Sequence, residues 1–177
     1  MKQTLSKRQV VVLEVMSKPK IPAEIREQTG LKKGNNISST LNGLLSLDYI
    51  YCLNPKTNVG KLYGLTRKGQ KIRRHLLSES RAPVSYTEPL RNWDLYGWIV
   101  CGRQKKAILK AMKMPMPLKH IKEKAQEHNP RISRMNASDI LQLFVKKGIA
   151  SKIWEGSRVF FALTATGEAL RNQLIEP

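Results

Sequence analysis

The stretch KKGNNISSTLN, residues 32–42, places short polar side chains directly after two lysines. An asparagine amide can form two hydrogen bonds with the edge of an adenine, and a serine hydroxyl can bond to any base. Lysines bind the neighbouring phosphates as point charges. The residue types therefore predict a surface that contacts nucleic acid. Its members are Lys32, Lys33, Asn35, Asn36, Ser38, Ser39 and Asn42.

A second stretch of the same character, RISRMNASDILQ, occupies residues 131–142. Its candidate DNA-contacting residues are Arg131, Arg134, Asn136, Ser138 and Gln142. Asp139 departs from the pattern, at the position that we align with Thr40. A carboxylate there would repel phosphate, although it could also accept from cytosine N4 or cap its own helix. We therefore expect more sequence-specific contact from the first stretch and more backbone contact from the second.

The net charge of the chain also favours a polyanionic partner. The 177 residues include 32 Lys and Arg against 13 Asp and Glu, which gives a formal net charge of +19. The excess lies in residues 1–80 and 103–177, whereas residues 81–102 are neutral. Such an excess repels itself unless an anion compensates it, and nucleic acid is the usual one. The alternative is that the charge only keeps the protein in solution. A balanced mixture of charges does this more often.

No pattern typical of catalysis is present. The histidines His75, His120 and His128 lie apart, with no neighbouring nucleophile and no metal-ligand spacing. Cys52 and Cys101 cannot make a disulfide framework, and we expect both to be small buried side chains. No glycine-rich phosphate loop follows a strand, and no apolar run approaches the ~20 residues of a membrane span. We therefore expect a cytoplasmic protein that is not an enzyme and needs no metal or cofactor.

A closing phrase occurs twice, as LYGLTRKGQKIRRHL at residues 62–76 and as FFALTATGEALRNQL at residues 160–174. Its aromatic, Leu-Thr, glycine and arginine positions agree at a constant spacing, which indicates an internal duplication. A threonine before each helix-forming run predicts an N-cap, at Thr66 and Thr164. We expect two modules and a connecting segment. Their bounds are residues 1–80, 81–102 (the connection) and 103–177.

Each module is predicted to contain three helices, a β-hairpin and a last helix. The apolar residues of the first module's third helix recur at helical spacing from Ile37 to Leu45 and leave the short polar side chains on the opposite face. In the second module we align Ile140, Leu143 and Phe144 with this apolar stripe. The sequence therefore predicts an α+β fold that is mostly helical.

The two hairpins are predicted where the apolar period changes from helical to alternating. Residues Tyr49–Leu65 are β-branched and aromatic at both ends, with the loop NPKTNVG between them. The second hairpin has the short turn EGSR, which also contains Glu155. Cations in these loops can reach the DNA backbone or, in the case of an arginine, a narrow minor groove. They are Lys56, Lys61 and Arg158.

This order of elements resembles the winged helix-turn-helix family. The phrase aromatic-x-Leu-Thr-x-x-Gly is similar to the end of the wing in many prokaryotic regulators, and LSLDYIYCLNPKTNVGKLYGLTRKG to archaeal and archaeal-virus members. The resemblance covers residues 5–79 and 103–175. It implies that each third helix enters the major groove while each hairpin, or wing, touches the neighbouring backbone or minor groove. It also implies a nucleoid-associated transcriptional regulator that binds double-stranded DNA.

The connecting segment begins rich in Ser and Pro and ends rich in aromatic residues. Trp93, Tyr96 and Trp98 are too apolar for water, so we expect them to pack against a module or to contact a second subunit or a protein partner. Base stacking on them is less favoured because the segment is neutral. Tandem winged helices also act as protein-interaction parts of transcription initiation or chromosome-partition machinery. That function and a replication initiator stay open as alternatives.

Overall fold

The computed structural model of the chain has an α+β fold that is mostly helical. It describes residues 5–31, 37–78 and 92–175. Within those residues there are nine helices and two antiparallel sheets of two strands each. The chain divides into two compact units, Met1–Cys101 and Gly102–Pro177.

The helices and strands follow the predicted order in each unit. The first unit contains α1 (Lys7–Val15), α2 (Pro22–Thr29), α3 (Ile37–Ser46), β1 (Ile50–Cys52), β2 (Tyr63–Leu65), α4 (Arg67–Leu77) and α5 (Trp93–Val100). The second contains α6 (Arg103–Ala111), α7 (Leu118–Gln126), α8 (Arg134–Lys146), β3 (Ala150–Glu155), β4 (Arg158–Leu163) and α9 (Ala165–Ile175). Helix α5 is additional, because its residues fall in the segment that the sequence assigns to the connection.

Local sequence explains where the first two helices begin and end. The Ser6 hydroxyl accepts from the Gln9 amide at 3.3 Å, and Gln9 Oε1 accepts from the Ser6 amide at 2.9 Å, which forms a capping box. Pro22 occupies the first position of α2, where its missing N–H is not needed. Gly30 ends α2 with a φ of 64°, a conformation that glycine adopts without strain. Helix α1 is therefore shorter than the predicted Leu5–Ser17.

The third helices, α3 and α8, correspond in a register that differs from the predicted one. Their buried residues are Ile37, Leu41 and Leu44 in α3 and Ala137, Leu141 and Phe144 in α8. Leu141 therefore matches Leu41, and the predicted inward placement of Leu143 is wrong because this side chain is 42% exposed. The segment ILQLF has apolar residues at adjacent positions, so periodicity alone allows both registers. In the observed register Asp139 corresponds to Ser39 and not to Thr40.

The repeated closing phrase holds the helix that it begins, α4 in the first unit and α9 in the second, against the turn that follows the third helix. In the first unit, Thr66 Oγ1 accepts from the Gly69 amide at 3.0 Å and caps α4, as predicted. The same hydroxyl donates to the Asp48 carbonyl at 2.7 Å, and the Thr66 amide donates to the Tyr49 carbonyl at 3.1 Å. A Cβ at Gly69 would overlap that Tyr49 carbonyl oxygen, so only glycine allows this approach.

The second unit repeats the arrangement with equivalent residues. Thr164 Oγ1 accepts from the Gly167 amide at 3.2 Å and donates to the Gly148 carbonyl at 2.6 Å. The Thr164 amide donates to the Ile149 carbonyl at 3.0 Å, and a Cβ at Gly167 would overlap that same oxygen. The phrase recurs because both units need one helix cap and one close backbone approach.

The aromatic residue of the phrase joins the hairpin to the segment between the first two helices. The backbones of Tyr63 and Lys20 exchange two hydrogen bonds, at 3.1 and 3.0 Å. Those of Phe161 and Met116 do the same at 3.1 and 2.9 Å. Each pair is an antiparallel bridge next to the hairpin. In both units the hairpin base is therefore tied to the helical part by backbone bonds.

The two hairpins differ in strand length and in turn. Strands β1 and β2 pair over three residues, so the loop between them, Leu53–Leu62, is longer than the predicted NPKTNVG. Strands β3 and β4 pair over six residues and are joined by Gly156 and Ser157. A φ of 59° at Gly156 suits the first central position of a two-residue type II′ turn. The second hairpin is the longer and more regular of the two.

Helix α5 belongs to the first unit and lies against the loop of its hairpin. Gly97 of α5 and Gly60 of the loop are so close that a Cβ on either would overlap the carbonyl oxygen of the other. The buried residues of α5 are Tyr96, Gly97, Ile99 and Val100. The apolar end of the segment 81–102 thus packs into the first unit, while residues 79–91 lie outside the described part of the chain.

Candidate nucleic-acid interface

The outward face of α3 carries three of the predicted DNA-contacting residues. Ser38, Ser39 and Asn42 are exposed, on the side of the helix opposite its buried stripe. Ile37–Ser46 contains no charged residue. Because these side chains are short, a partner can approach the helix backbone closely. The four predicted residues before the helix lie outside the described residues. They are Lys32, Lys33, Asn35 and Asn36.

Only part of the predicted set in α8 faces outward. Arg131, Arg134 and Gln142 are exposed, and Ser138 is half-buried. The outward placement of Asn136 is wrong. Its side chain is half-buried and donates from Nδ2 to Gln104 Oε1 of α6 at 3.4 Å. Its backbone amide donates to the Ser133 hydroxyl, which caps α8. Asn136 therefore links two helices of the second unit.

The exposed face of α8 also carries apolar and acidic side chains. We call this set, which lies at helical spacing along one side, the α8 stripe. It consists of Met135, Asp139, Gln142, Leu143 and Lys146. Met135 is 74% exposed. The sequence prediction missed Met135 and Leu143, and the correct register would have identified Leu143 as a surface residue.

The loop of the first hairpin presents its two predicted cations outward. Lys56 and Lys61 are exposed. Asn54, 2% exposed, organises the loop: its Nδ2 donates to the Gly60 carbonyl at 2.9 Å and its Oδ1 accepts from the Leu62 amide at 2.7 Å. These bonds satisfy a buried amide and fix the loop between the two lysines. The loop is therefore a defined surface on which both charges face solvent.

The second hairpin extends its outer half into solvent. Every residue from Ser151 to Arg158 is exposed, including the predicted Arg158 next to the turn. Arg158 pairs in register with Glu155, and Lys152 lies nearer the base. Trp154 is 67% exposed, although tryptophan is usually well buried. Trp154 was not among the residues predicted from the sequence. The signal that could have identified it is a tryptophan close to a predicted hairpin turn.

Some cations of the first unit serve its own structure. Lys68 of α4 donates from Nζ to the Leu47 carbonyl at 2.8 Å, and Arg73 donates from Nε to the Glu14 carbonyl at 3.2 Å. The Lys20 side chain is 5% exposed, and burial lowers its pKa, as does the nearby charge of Lys18. The net charge of the unit therefore overstates the number of cations that a partner can reach.

Other cations of α4 surround an open depression. It has a volume of about 430 Å³ and is lined by Lys71, Arg74, His75 and Ser78. Ser78 follows the end of α4, whereas Lys71 and Arg74 lie in its last two turns, where positive charge interacts favourably with the helix dipole. They therefore stabilise the helix end as well as attracting anions.

The aromatic residues of α5 are only partly available to a partner. Tyr96 is 5% exposed, so it is not a surface contact. Burial raises the pKa of its phenol to about 12, and the negative charge of Glu24 contributes in the same direction. The Trp93 ring meets Tyr96 edge-on at 5.9 Å. Trp93 and Trp98 are half-buried and are what a second subunit or protein partner could touch.

Three features bear on other kinds of site. No group of three His, Cys, Asp or Glu side chains that could hold a metal occurs in residues 5–31, 37–78 and 92–175. Cys101 is exposed and Cys52 half-buried, so the expected burial of both cysteines is wrong. None of the described helices combines the length and the apolar character needed to cross a bilayer.

Comparison of the chain with protein-family models, with curated proteins and with solved structures gives no match. Support for a function therefore comes from the side chains themselves. In the first unit these are a neutral, polar face on α3 and two exposed lysines in the hairpin. In the second unit they are a mixed face on α8 and a hairpin that extends into solvent.

Proposed function

We propose that each unit is a winged helix-turn-helix module and that the chain binds double-stranded DNA sequence-specifically, as a transcriptional regulator. The observation that carries this proposal is the exposed face of α3. Ser38, Ser39 and Asn42 project from a helix that has no charged side chain and whose other face is buried. A helix of this kind can enter a major groove closely enough for short side chains to reach base edges.

In this mechanism different residues position the protein and read the sequence. The Asn42 amide can accept from adenine N6 and donate to adenine N7, and the serine hydroxyls can bond to either base of a pair. Lys56 and Lys61 of the first hairpin bind phosphates on the flanking backbone, which fixes the register without carrying sequence information. The formal net charge of +19 supplies long-range attraction to the duplex.

Salt dependence tests the electrostatic part of the proposal. Duplexes selected from a random DNA library are titrated with the full chain at several salt concentrations. About six phosphate contacts predict a slope near −5 for log affinity against log salt, because each neutralised phosphate contributes about −0.9. An affinity that does not change with salt would contradict the proposal.

Two substitutions on α3 test sequence reading. Ser38→Ala combined with Asn42→Ala should lower the preference for the selected duplex over an unrelated one by about tenfold, since a lost base contact is worth roughly 1–3 kcal/mol. Affinity for the unrelated duplex should change little. Asn172→Ala, at an exposed position of α9, is the matched control. Equal losses on both duplexes would make these residues positioning groups.

A second candidate function is supported by the α8 stripe. Met135 and Leu143 expose apolar surface where a DNA-reading helix would carry polar groups, as expected for a protein-interaction module. In that case no duplex would bind at about 100 mM salt, where phosphate contacts still contribute strongly. Light scattering would then show self-association that Met135→Lys abolishes.

A further inference from the structure

Trp154, near the tip of the second hairpin, leaves most of its side chain uncovered by its own unit. Its side chain is 67% exposed, and its cross-strand neighbour Val159 is too small to cover an indole. A tryptophan usually buries most of its large apolar surface in a core or an interface. Its exposure here leaves an aromatic surface open to a ligand.

The hairpin holds the indole in a defined position. Six residue pairs connect β3 and β4, and Trp154 lies one pair before the last, next to the two-residue turn at Gly156 and Ser157. Phe161 anchors the base of β4, at 6% exposure. A regular hairpin with a short turn presents its tip with little conformational freedom, which lowers the entropy lost on binding.

The surroundings of the ring favour an anionic ligand. Lys152 lies two residues before Trp154 on the same strand, and therefore on the same face of the hairpin. Arg158 is exposed next to the turn, and its side chain lies with that of its cross-strand neighbour Glu155 on the opposite face of the hairpin. A planar aromatic ring with an exposed lysine beside it on the same face matches a nucleotide, whose base offers a π face and whose phosphate offers negative charge.

We propose that Trp154 is a base-stacking residue, which binds a nucleobase that is unpaired or has left the helical stack, while Lys152 binds an adjoining phosphate. The inference rests on the proposed function, DNA binding, and adds a preference for distorted or locally opened DNA. The first hairpin differs here, because the exposed apolar residue of its loop is Val59, which has no π face to offer a base, while its Tyr51 lies on strand β1 and is 39% exposed.

The test compares a perfect duplex with the same duplex carrying a single unpaired base. The wild-type chain should bind the second about tenfold more tightly, since stacking of one base on an aromatic ring is worth roughly 1–3 kcal/mol. Trp154→Ala should remove this preference and leave affinity for the perfect duplex within about twofold. Trp154→Phe should retain most of it, and Val59→Ala should retain all of it.

A spectroscopic readout accompanies the affinities. The unpaired base should quench the emission of Trp154, with the Trp154→Phe variant serving as the blank for Trp93 and Trp98. Equal preference in the wild type and Trp154→Ala would overturn the inference, as would loss of self-association in Trp154→Ala with no change in DNA binding. Binding of the perfect duplex without preference would overturn the stacking role alone. Preference for the unpaired base without binding of any perfect duplex would support stacking and contradict the proposed function.

Discussion

The two units share the residues that hold their elements together and differ in the residues that face outward. Thr66 and Gly69 of the first unit and Thr164 and Gly167 of the second make the same cap and the same backbone approach. The outward face of α3 is small, polar and uncharged, whereas the α8 stripe mixes apolar, acidic and basic side chains. Packing tolerates few substitutions at the positions that hold the elements together and many at the positions that face outward.

The two hairpins also differ in how much of each is exposed to solvent. The first has a long loop that is organised by Asn54 and lies against α5. The second has long strands and a two-residue turn, and its outer half stands in solvent with Trp154 near the tip. One duplicated scaffold thus carries a hairpin fixed to its own unit and a hairpin that projects.

The correspondence of α3 with α8 predicts the largest effect on stability. Leu141→Ala removes a fully buried side chain and should lower the free energy of unfolding by about 4 kcal/mol. Leu143→Ala, at 42% exposure, should change it by less than about 0.5 kcal/mol. Denaturant unfolding measures the loss, and hydrogen exchange of the α8 amides assigns it to the second unit. A larger loss at Leu143 would restore the register predicted from the sequence.

The duplicated glycine predicts the next largest effect, and a similar one in both units. Gly69→Ala and Gly167→Ala each force a methyl group onto a backbone carbonyl oxygen, at Tyr49 and at Ile149. Each should cost about 3 kcal/mol, since backbone has little room to yield. Gly148→Ala is the control. Its φ of 69° is unfavourable for alanine but its surroundings are open, so the loss should be about 1 kcal/mol. A loss in one unit alone would show that the phrase is not used equivalently.

Much of the fold is predictable from the sequence because it depends on local signals. Helix caps such as Thr66, the helix stop at Gly30 and the change of period at each hairpin act within a few residues. Helix α5 is predictable in this way only at its start, where Asn92 Oδ1 accepts from the Leu95 amide at 3.1 Å. It is short, and what stabilises it is the packing of Tyr96 and the approach of Gly97 to a distant loop.

The candidate site was predictable where one face of a helix is clearly apolar. The stripe of α3 fixes the outward position of Ser38 and Asn42 without further information. In α8 the adjacent apolar residues allow two registers, and the half-buried Asn136 depends on Gln104, a partner in another helix. A polar side chain that satisfies such a partner looks the same in sequence as one that faces solvent.

Ionisation of tyrosine should distinguish the two units, because the second unit contains no tyrosine. The pKa of Tyr96 is raised to about 12, mainly by burial, and burial also raises that of Tyr63. Below about pH 10 the phenol is neutral in both states. As pH rises from about 10 to 12 the unfolded chain ionises first, so the first unit loses stability. The loss should reach roughly 2 kcal/mol by about pH 11.5.

Hydrogen exchange or denaturant unfolding at increasing pH measures this loss unit by unit. Tyr96→Phe should remove most of this loss from the first unit and leave the second unit unchanged. Lys20 and Tyr63 are the same in the wild type and the variant, so the difference between the two isolates Tyr96. An unchanged pH dependence in Tyr96→Phe would mean that the phenol is solvated in solution.

The smallest effect concerns Asp139, the acidic residue that occupies on α8 the position of Ser39 on α3. It is exposed, so its carboxylate would lie near phosphate if α8 approaches a duplex as α3 is proposed to do. Two unit charges about 5 Å apart in water interact by about 0.8 kcal/mol. Asp139→Ser should therefore raise duplex affinity about fourfold at low salt, with the gain falling as salt screens it. Ser39→Asp should lower affinity by a similar factor or more.

Three measurements together decide whether α8 approaches the duplex as α3 is proposed to do: the affinities of Asp139→Ser, of Ser39→Asp and of a control. Asp94→Asn removes an equal charge from an exposed position on α5 and should leave duplex affinity nearly unchanged. If Asp139→Ser behaves like that control while Ser39→Asp weakens binding, the second unit does not bring α8 to the duplex and reaches DNA, if at all, through its hairpin. If Asp139→Ser weakens binding, the carboxylate accepts a hydrogen bond from a cytosine N4, and α8 reads bases with a different set of side chains from α3.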